Sequence, residues 1–307
     1  MSRVLVVGGT GFIGSEVVRQ LRERGDDVVI LSRREEAEGD PRHIAGVERL
    51  LGDYMAPEAV DLSGFDGIIF AAGHDIRHVA AGDDDEAFWG RVQRDGVPAF
   101  AAAAKKAGVA RFVQVGSYYH QLHPEWAAND LYIAARKAAD EGARALTDET
   151  FAAITVNPPS IVGANSDRGV RGFARLVSWV RGERAEPGLW GPAGGTNYMS
   201  VRSLAQALIG ALDRGEPGKA YLVGDESLSY SEYWQWIADA AGSSHTIEER
   251  DEEHPFQPDR FIVQGRGNVI AYEPDAAETA LLGYDRHDVR RELAAIVAAV
   301  DALPPRS

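Results

Sequence analysis

Cysteine is absent from the 307 residues. Neither a disulfide framework nor a thiolate metal site is open to such a chain. Long apolar runs are missing too, and none approaches the ~20 residues that span a bilayer. Positive charge is scarce: 32 basic residues face 47 acidic ones, for a formal net charge of −15. A nucleic-acid-binding surface runs against that balance. No internal repeat is visible. The chain enters an apolar strand almost at once and then a glycine turn, unlike a cleaved leader. These absences lead us to expect a cytoplasmic protein that takes a small-molecule substrate, as a monomer or homodimer, with no nucleic acid and no membrane. The eight histidines are scattered. His74 and His78 have helical spacing, but no third ligand lies nearby, so no metal is expected.

What is present is a pattern of short apolar strands alternating with helices. RVLVVGG reads as a buried strand and TGFIGSEVVRQLRERG as a helix ending at Gly25. DVVILSRR, GVERLLGDY and FDGIIFAAG supply further strands. A helix through EAFWGRVQRDGVPAFAAAAKKAG is expected to break at Pro98. The strand ARFVQVGS, a helix around LYIAARKAADEGARAL and the strand FAAITVNP follow. Such alternation predicts right-handed βαβ units and a parallel sheet. After Pro158 the pattern loosens. EPGLWGPAGGTN reads as a Gly/Pro-rich loop and EERDEEHPFQPDR as an exposed acidic loop. SYSEYWQWIADAAG and HDVRRELAAIVAAVDAL read as helices. The predicted class is α/β: a Rossmann-type, doubly wound parallel sheet with a smaller C-terminal substrate lobe. The first domain is expected over 1–160, with 201–224 returning to it, and the lobe over most of 161–307.

GGTGFIG, residues 8–14, lies between the first strand and the first helix. Gly8 permits the tight turn, Gly11 lets the backbone approach a pyrophosphate, and Gly14 lets helix and strand pack closely. The helix start offers free N–H groups to the phosphates, with Thr10, Phe12 and Ile13 alongside. The second strand ends in LSRR. An acid that would hold a ribose 2′-hydroxyl is missing there. Ser32, Arg33 and Arg34 stand instead, suited to a 2′-phosphate. The expected cofactor is NADP rather than NAD.

With these residues in view, the chain resembles the extended and atypical short-chain dehydrogenase/reductases, a superfamily of NAD(P)-dependent epimerases, dehydratases and reductases. The likeness rests on GGTGFIG, GDY at 52–54, AAG at 71–73, RFVQVGS at 111–117, the helix from Tyr132 and NPPSIVG at 157–163. It continues in SVRSLAQAL and YLVGDESLSYSEYWQWIADAAG, so it spans nearly the whole chain. The resemblance implies that Asp53 lies near the adenine and that Ala71, Ala72 and Gly73 pass along the cofactor. It implies that Ser117 hydrogen-bonds the substrate carbonyl or hydroxyl, and that Pro158 flanks the nicotinamide. Gln93 stands where the family usually has asparagine. Some atypical members resemble RNA-binding proteins, a role the acidic charge disfavours.

The chemistry that the resemblance implies is hydride transfer coupled to proton transfer by a tyrosine. A cation four residues on lowers the tyrosine pKa and holds the nicotinamide ribose. LYIAARKAADE, residues 131–141, offers two registers. In one, Tyr132 pairs with Arg136, about 40° away around the helix, and Asp140 continues the face. In the other, Lys137 takes the cation position, Ile133 replaces the tyrosine, and Tyr132 lies about 140° from the lysine. The first register is favoured because it keeps the proton donor. Asn129 or Asp130 is placed to cap this helix. Tyr118, Tyr119 and His120 are alternative donors beside Ser117.

In the C-terminal half, Trp179, Trp190, Tyr198, Trp234 and Trp236 are candidates for a pocket, although core packing suits most of them. Arg168, Arg171 and Arg202 form no phosphate-clamping cluster. The expectation is an NADP(H)-dependent reductase or dehydrogenase of a small, partly apolar carbonyl or alcohol. The alternatives are a sugar epimerase or dehydratase with transient cofactor reduction, and a non-catalytic NADP-binding sensor or scaffold.

Overall fold

The structure is a computed structural model that describes residues 2–74, 84–184 and 186–304. In chain order it forms β1 (Arg3–Val7), α1 (Phe12–Arg24), β2 (Asp27–Ser32), β3 (Glu48–Leu51), β4 (Gly67–Phe70), α2 (Asp85–Trp89) and α3 (Gly96–Lys106). Next come β5 (Arg111–Val115), α4 (Tyr119–Leu122), α5 (Leu131–Arg144), β6 (Ala152–Asn157), β7 (Ser160–Val162), α6 (Asp167–Val180), β8 (Trp190–Pro192) and β9 (Gly195–Ser200). The remainder is α7 (Val201–Arg214), β10 (Ala220–Leu222), β11 (Glu226–Ser229), α8 (Tyr230–Ala240), β12 (Glu248–Arg250), α9 (Ala276–Leu282) and α10 (Val289–Asp301). No helix among the described residues is long and apolar enough to cross a membrane.

The chain divides into two compact units. Unit 1 holds residues 1–158, 201–223 and 274–285. Its seven strands run in the order β10-β6-β5-β4-β1-β2-β3. Every neighbouring pair is parallel. Both faces of such a sheet are covered, so its strands read as near-continuous apolar runs rather than alternating ones. In β1, all residues after Arg3 are buried. One core layer gathers Leu5, Val7, Ile68, Phe70, Phe100 and Phe112. Phe70 meets Tyr54 edge-on at 5.1 Å and Phe100 at 5.6 Å. Strand order reverses at β1, which has β2 on one side and β4 on the other. A crevice opens at such a switch point, outside the strands' carboxyl ends, and ligands bind there. Residues 274–285, left in the second part by the sequence reading, group with unit 1 and carry α9.

The helix that was expected to break at Pro98 stays helical through it, and its irregularity lies earlier. Residues Gly90–Asp95 form a π-helical turn between α2 and α3, and Pro98 sits in the first turn of α3. Proline is tolerated near a helix start because the N–H it lacks is not needed there.

Unit 2 holds residues 159–200, 224–273 and 286–307. It contains a small sheet, β11-β9-β7, and a separate parallel pair, β12 with β8. Its core packs Trp179, Trp234, Ile237, Val289, Leu293 and Ile296. Two expected loops are structured here. EPGLWGPAGGTN contains β8 and the start of β9, and EERDEEHPFQPDR opens as β12. The partner strand lies some sixty residues away in sequence, so a local reading of polar and glycine-rich segments misses it. His254, in the second of these stretches, is wholly buried. The rings of Trp190, Trp234, Trp179 and Phe256 surround it at 4.5, 4.6, 5.3 and 5.3 Å. Its Nδ1 accepts the Phe256 N–H at 3.1 Å, so the proton belongs on Nε2, which has no hydrogen-bond partner among the described residues. Burial pulls its pKa down to about 4.

Candidate active site

The sequence folds its phosphate turn from backbone alone. Gly8 has φ +83°, a conformation that favours glycine. The Gly11 N–H closes the turn onto the Gly8 carbonyl at 2.9 Å. A Cβ on Gly14 would lie 2.2 Å from that same oxygen. α1 starts at Phe12 with Gly11 as its cap, and neither a side-chain cap nor an acidic first turn occupies its N–H groups. A helix start of this kind offers N–H groups to an anion. The Ala71 N–H donates to the Val7 carbonyl at 2.9 Å, and a Cβ on Gly8 would meet the Ala72 nitrogen at 2.7 Å. Gly8 therefore sits directly against Ala71 and Ala72. Close backbone approach and open helix N–H groups fit a dinucleotide pyrophosphate.

At the end of β2 the three predicted residues separate. The Ser32 hydroxyl donates to the Arg34 carbonyl at 2.7 Å. Arg33 is exposed and makes no ion pair among the described residues. Arg34 instead forms a two-pronged pair with Asp40, one prong at 3.2 Å. Asp40 also accepts Arg49 Nη2 at 2.8 Å and the Ala37 N–H at 3.1 Å. The Arg34 guanidinium holds the Asp40 carboxyl down at about 2. Nothing local in LSRR shows this carboxylate, which the following loop brings back. The Gly52 N–H donates to the Ser32 carbonyl at 2.9 Å, which places Asp53 beside this corner. Asp53 Oδ1 accepts the Met55 N–H at 3.0 Å.

Ser117 lies two residues beyond β5 and is buried. Its N–H donates to Asn157 Oδ1 at 2.8 Å. Gly116 makes room for that amide: a Cβ there would lie 1.8 Å from the same oxygen. Pro158 adjoins this corner, its carbonyl accepting the Tyr118 N–H at 3.3 Å.

Asp130 caps α5, accepting the Ile133 N–H at 2.8 Å. One face of this helix then carries Tyr132, Arg136, Asp140 and Arg144, each four residues from the last. Tyr132 is half-buried between Trp89, at 5.0 Å, and Tyr119, at 6.5 Å. Arg136 is buried and donates from Nη2 to the Val115 carbonyl at 2.9 Å and to the Gly116 carbonyl. Its Nη1 lies 3.6 Å from where a Gly73 Cβ would stand. Lys137 turns outward, 37% exposed, and reaches Glu141 at 4.0 Å. The face thus brings Arg136 to the end of β5, with Tyr132 one turn earlier beside Trp89 and Tyr119, and Lys137 points away from it.

Two features escaped the sequence reading. His120, one of the alternative donors, is buried in α4 and donates from Nε2 to Asp140 Oδ2 at 2.8 Å. Burial pushes the Asp140 pKa up, but hydrogen bonds from His120, Arg144 and Thr155 together outweigh it and hold the group at about 2. The second is the π-helical turn, which buries Gln93 and lets its Nε2 donate to the His74 carbonyl at 3.4 Å. Such turns concentrate at functional sites. His78 lies outside the described residues. Among the described residues, Asp225, Glu226 and His287 approach one another closely in unit 2. Asp225 is already engaged there by Arg286 and by the backbone N–H groups of His287 and Asp288.

Residues 4–224 match the NAD dependent epimerase/dehydratase family. A ceramide reductase of Caulobacter vibrioides is 33% identical over 162 residues, which is 52% of this chain and 46% of that protein. The chain therefore matches less than half the length of that relative. Sterol demethylase protein B of Methylococcus capsulatus is 26% identical over 256 residues, 78% of this chain and 74% of that one. Among solved structures, Bordetella bronchiseptica WbmH in complex with NAD+ superposes with a TM-score of 0.70 at 21% identity, covering 98% and 99% of the two chains. The human epimerase family protein SDR39U1 with NADPH gives 0.66 at 19%, covering 98% and 100%. At these identities the structural likeness is one of fold.

Proposed function

Because the chain belongs to the NAD dependent epimerase/dehydratase family, we propose that it is an NADP(H)-dependent oxidoreductase acting on the carbonyl or alcohol of a small, partly apolar molecule. The observation that carries this reading is the shared face of α5, on which Tyr132 stands one turn before Arg136. Arg136 is anchored on the Val115 and Gly116 carbonyls beside Gly73. The glycine turn and the start of α1 would hold the pyrophosphate, and Arg33 the 2′-phosphate. When bound, the dinucleotide supplies hydride in reduction and accepts it in oxidation.

The chain's own residues do the rest. Ser117 donates a hydrogen bond to the substrate oxygen. Tyr132 gives that oxygen its proton in reduction and removes it in oxidation. Arg136, held on the Val115 and Gly116 carbonyls with Nη1 beside Gly73, would hold the nicotinamide ribose with its fixed guanidinium fork. Lys137, turned toward Glu141, assists through charge alone. The names of the two curated relatives, a ceramide reductase and a sterol demethylase, support a substrate with an apolar body.

Tyr132→Phe tests this assignment. Turnover is expected to fall by roughly 10²–10⁴-fold, the usual weight of general acid–base help. NADPH should still bind within about twofold of the parent and more tightly than NADH. Undiminished turnover refutes the role of Tyr132, and equal affinity for the two cofactors refutes the preference for NADP. The family also contains epimerases and dehydratases, which regenerate their cofactor. Copurified cofactor, with turnover in the absence of added NADPH, would move the assignment there.

A further inference from the structure

A continuous run of aromatic rings passes through Tyr132. Phe88 meets Trp89 at 5.0 Å, and Trp89 meets Tyr132 at 5.0 Å. On the other side Tyr132 meets Tyr119 at 6.5 Å, and Tyr119 meets Trp126 at 6.3 Å. Trp126 stacks on His123 at 4.1 Å, with planes 7° apart. Trp89 is buried, but the other five rings keep part of their surface open. Trp126 belongs to a short turn, Pro124–Ala128, in which no residue is buried. Its indole therefore does not serve the core. Large rings left partly open in a row beside a proton donor mark a surface built to receive something apolar.

The charge around these rings narrows the ligand. Residues 119–132 contain no lysine or arginine, and they carry Glu125 and Asp130. At the other end, Asp84, Asp85 and Glu86 precede Phe88. Arg94, after the rings, is paired with Asp95 at 3.1 Å. Arg136 is held on backbone carbonyls. Among the described residues Arg91, exposed in the π-helical turn, makes no ion pair, but it is a single cation against five carboxylates, so a diphosphate brought to this wall would meet mostly like charge.

We propose that the ring surface of Phe88, Tyr132, Tyr119 and Trp126 is the substrate-binding wall, and that it selects uncharged carbonyl compounds with a flat or extended apolar body over nucleotide sugars. This rests on the function proposed above, which it sharpens to a substrate class. The body lies along the rings, and the carbonyl reaches the Tyr132 hydroxyl.

Calorimetric titration with 2-acetylnaphthalene and with UDP-glucose tests it, on the protein alone and at saturating NADPH. The naphthyl ketone is expected to bind with a negative heat-capacity change, the mark of apolar burial. UDP-glucose should not bind. Trp126→Ala should weaken the ketone by about tenfold, or about 1.4 kcal/mol. Trp126→Phe should restore most of the loss, and Phe88→Leu, which keeps an apolar side chain, should weaken binding by about threefold. NADPH affinity should stay within about twofold in all three variants. Binding of UDP-glucose, no binding of the ketone, or equal ketone affinity in Trp126→Ala overturns the wall. Failure of NADPH to bind the parent protein, or to be oxidised with the bound ketone, overturns the oxidoreductase reading and leaves the wall's affinities to be judged on their own.

Discussion

Asp40 sets how much positive charge the end of β2 offers. Arg33 and Arg34 are adjacent in sequence, yet only Arg33 is without an ion pair, because Asp40 takes both prongs of Arg34 and one nitrogen of Arg49. Asp40 is also a like charge close to where a 2′-phosphate would rest, and it remains ionised down to about pH 2. Replacing it with asparagine keeps a hydrogen-bond acceptor and removes the charge. Asp40→Asn should tighten NADPH binding by roughly three- to tenfold and leave NADH within about twofold, in fluorescence titrations at low salt. An unchanged ratio of the two affinities would show that Arg34 takes no part in the choice. The two arginines are readable in LSRR. The residue that restrains them is not, since it arrives by a loop with no pattern of its own.

Among the elements, the turn from β1 to α1 has little tolerance for change. A methyl group on Gly14 would have to displace the Gly8 carbonyl, 2.2 Å away, or move α1 off the sheet. Backbone cannot give way as a flexible side chain can. Gly14→Ala should lower the melting temperature by several degrees and weaken NADPH by at least about tenfold, as read by a thermal shift with and without cofactor. This element was legible beforehand because its cause is local: a buried strand, three spaced glycines and a helix start. α5 was legible in part. Its periodicity placed Tyr132, Arg136 and Asp140 on one face, and the structure turns Lys137 away from that face. What each side chain holds was hidden, because the Val115 carbonyl, His120 and Thr155 come from other elements. The π-helical turn was also hidden. Its cause is an extra residue accommodated in a helix, and the sequence there, GRVQRDG, reads as ordinary helix up to Pro98.

At the scale of the molecule, the two units meet acid differently. In unit 2, His254 is buried among three indoles and a phenyl ring, and its pKa falls to about 4. Arg175 lies over Phe256 at 4.8 Å and Arg250 over Trp190 at 5.8 Å, so an imidazolium there would face cations as well as rings. The unfolded chain takes up this proton first, at the ordinary histidine pKa near 6.5. His254 therefore stabilises unit 2 fully above about pH 6.5, and the contribution, up to roughly 3 kcal/mol, is lost as pH falls toward 4. In unit 1, Asp40 and Asp140 act in a lower window. Their folded values are near 2, so their contribution holds above about pH 4 and is lost below it. His43 of unit 1 is also lowered by burial, but it is only partly buried, whereas His254 is wholly so. Hydrogen exchange at about pH 5 should show α6 and α8 losing protection while β1, β4 and β5 keep theirs. Equal loss in both units would refute the difference. Synthesis adds a consequence of the way the chain threads between the units. β6 is complete at Asn157, but its outer neighbour β10 begins only at Ala220. At ordinary translation speeds that interval lasts several seconds. During it a growing chain carries a strand whose hydrogen-bonding edge is unsealed, the kind of edge that recruits other chains. The part of the sheet most at risk on the ribosome is therefore the edge beside β6, away from the nucleotide turn that was made first.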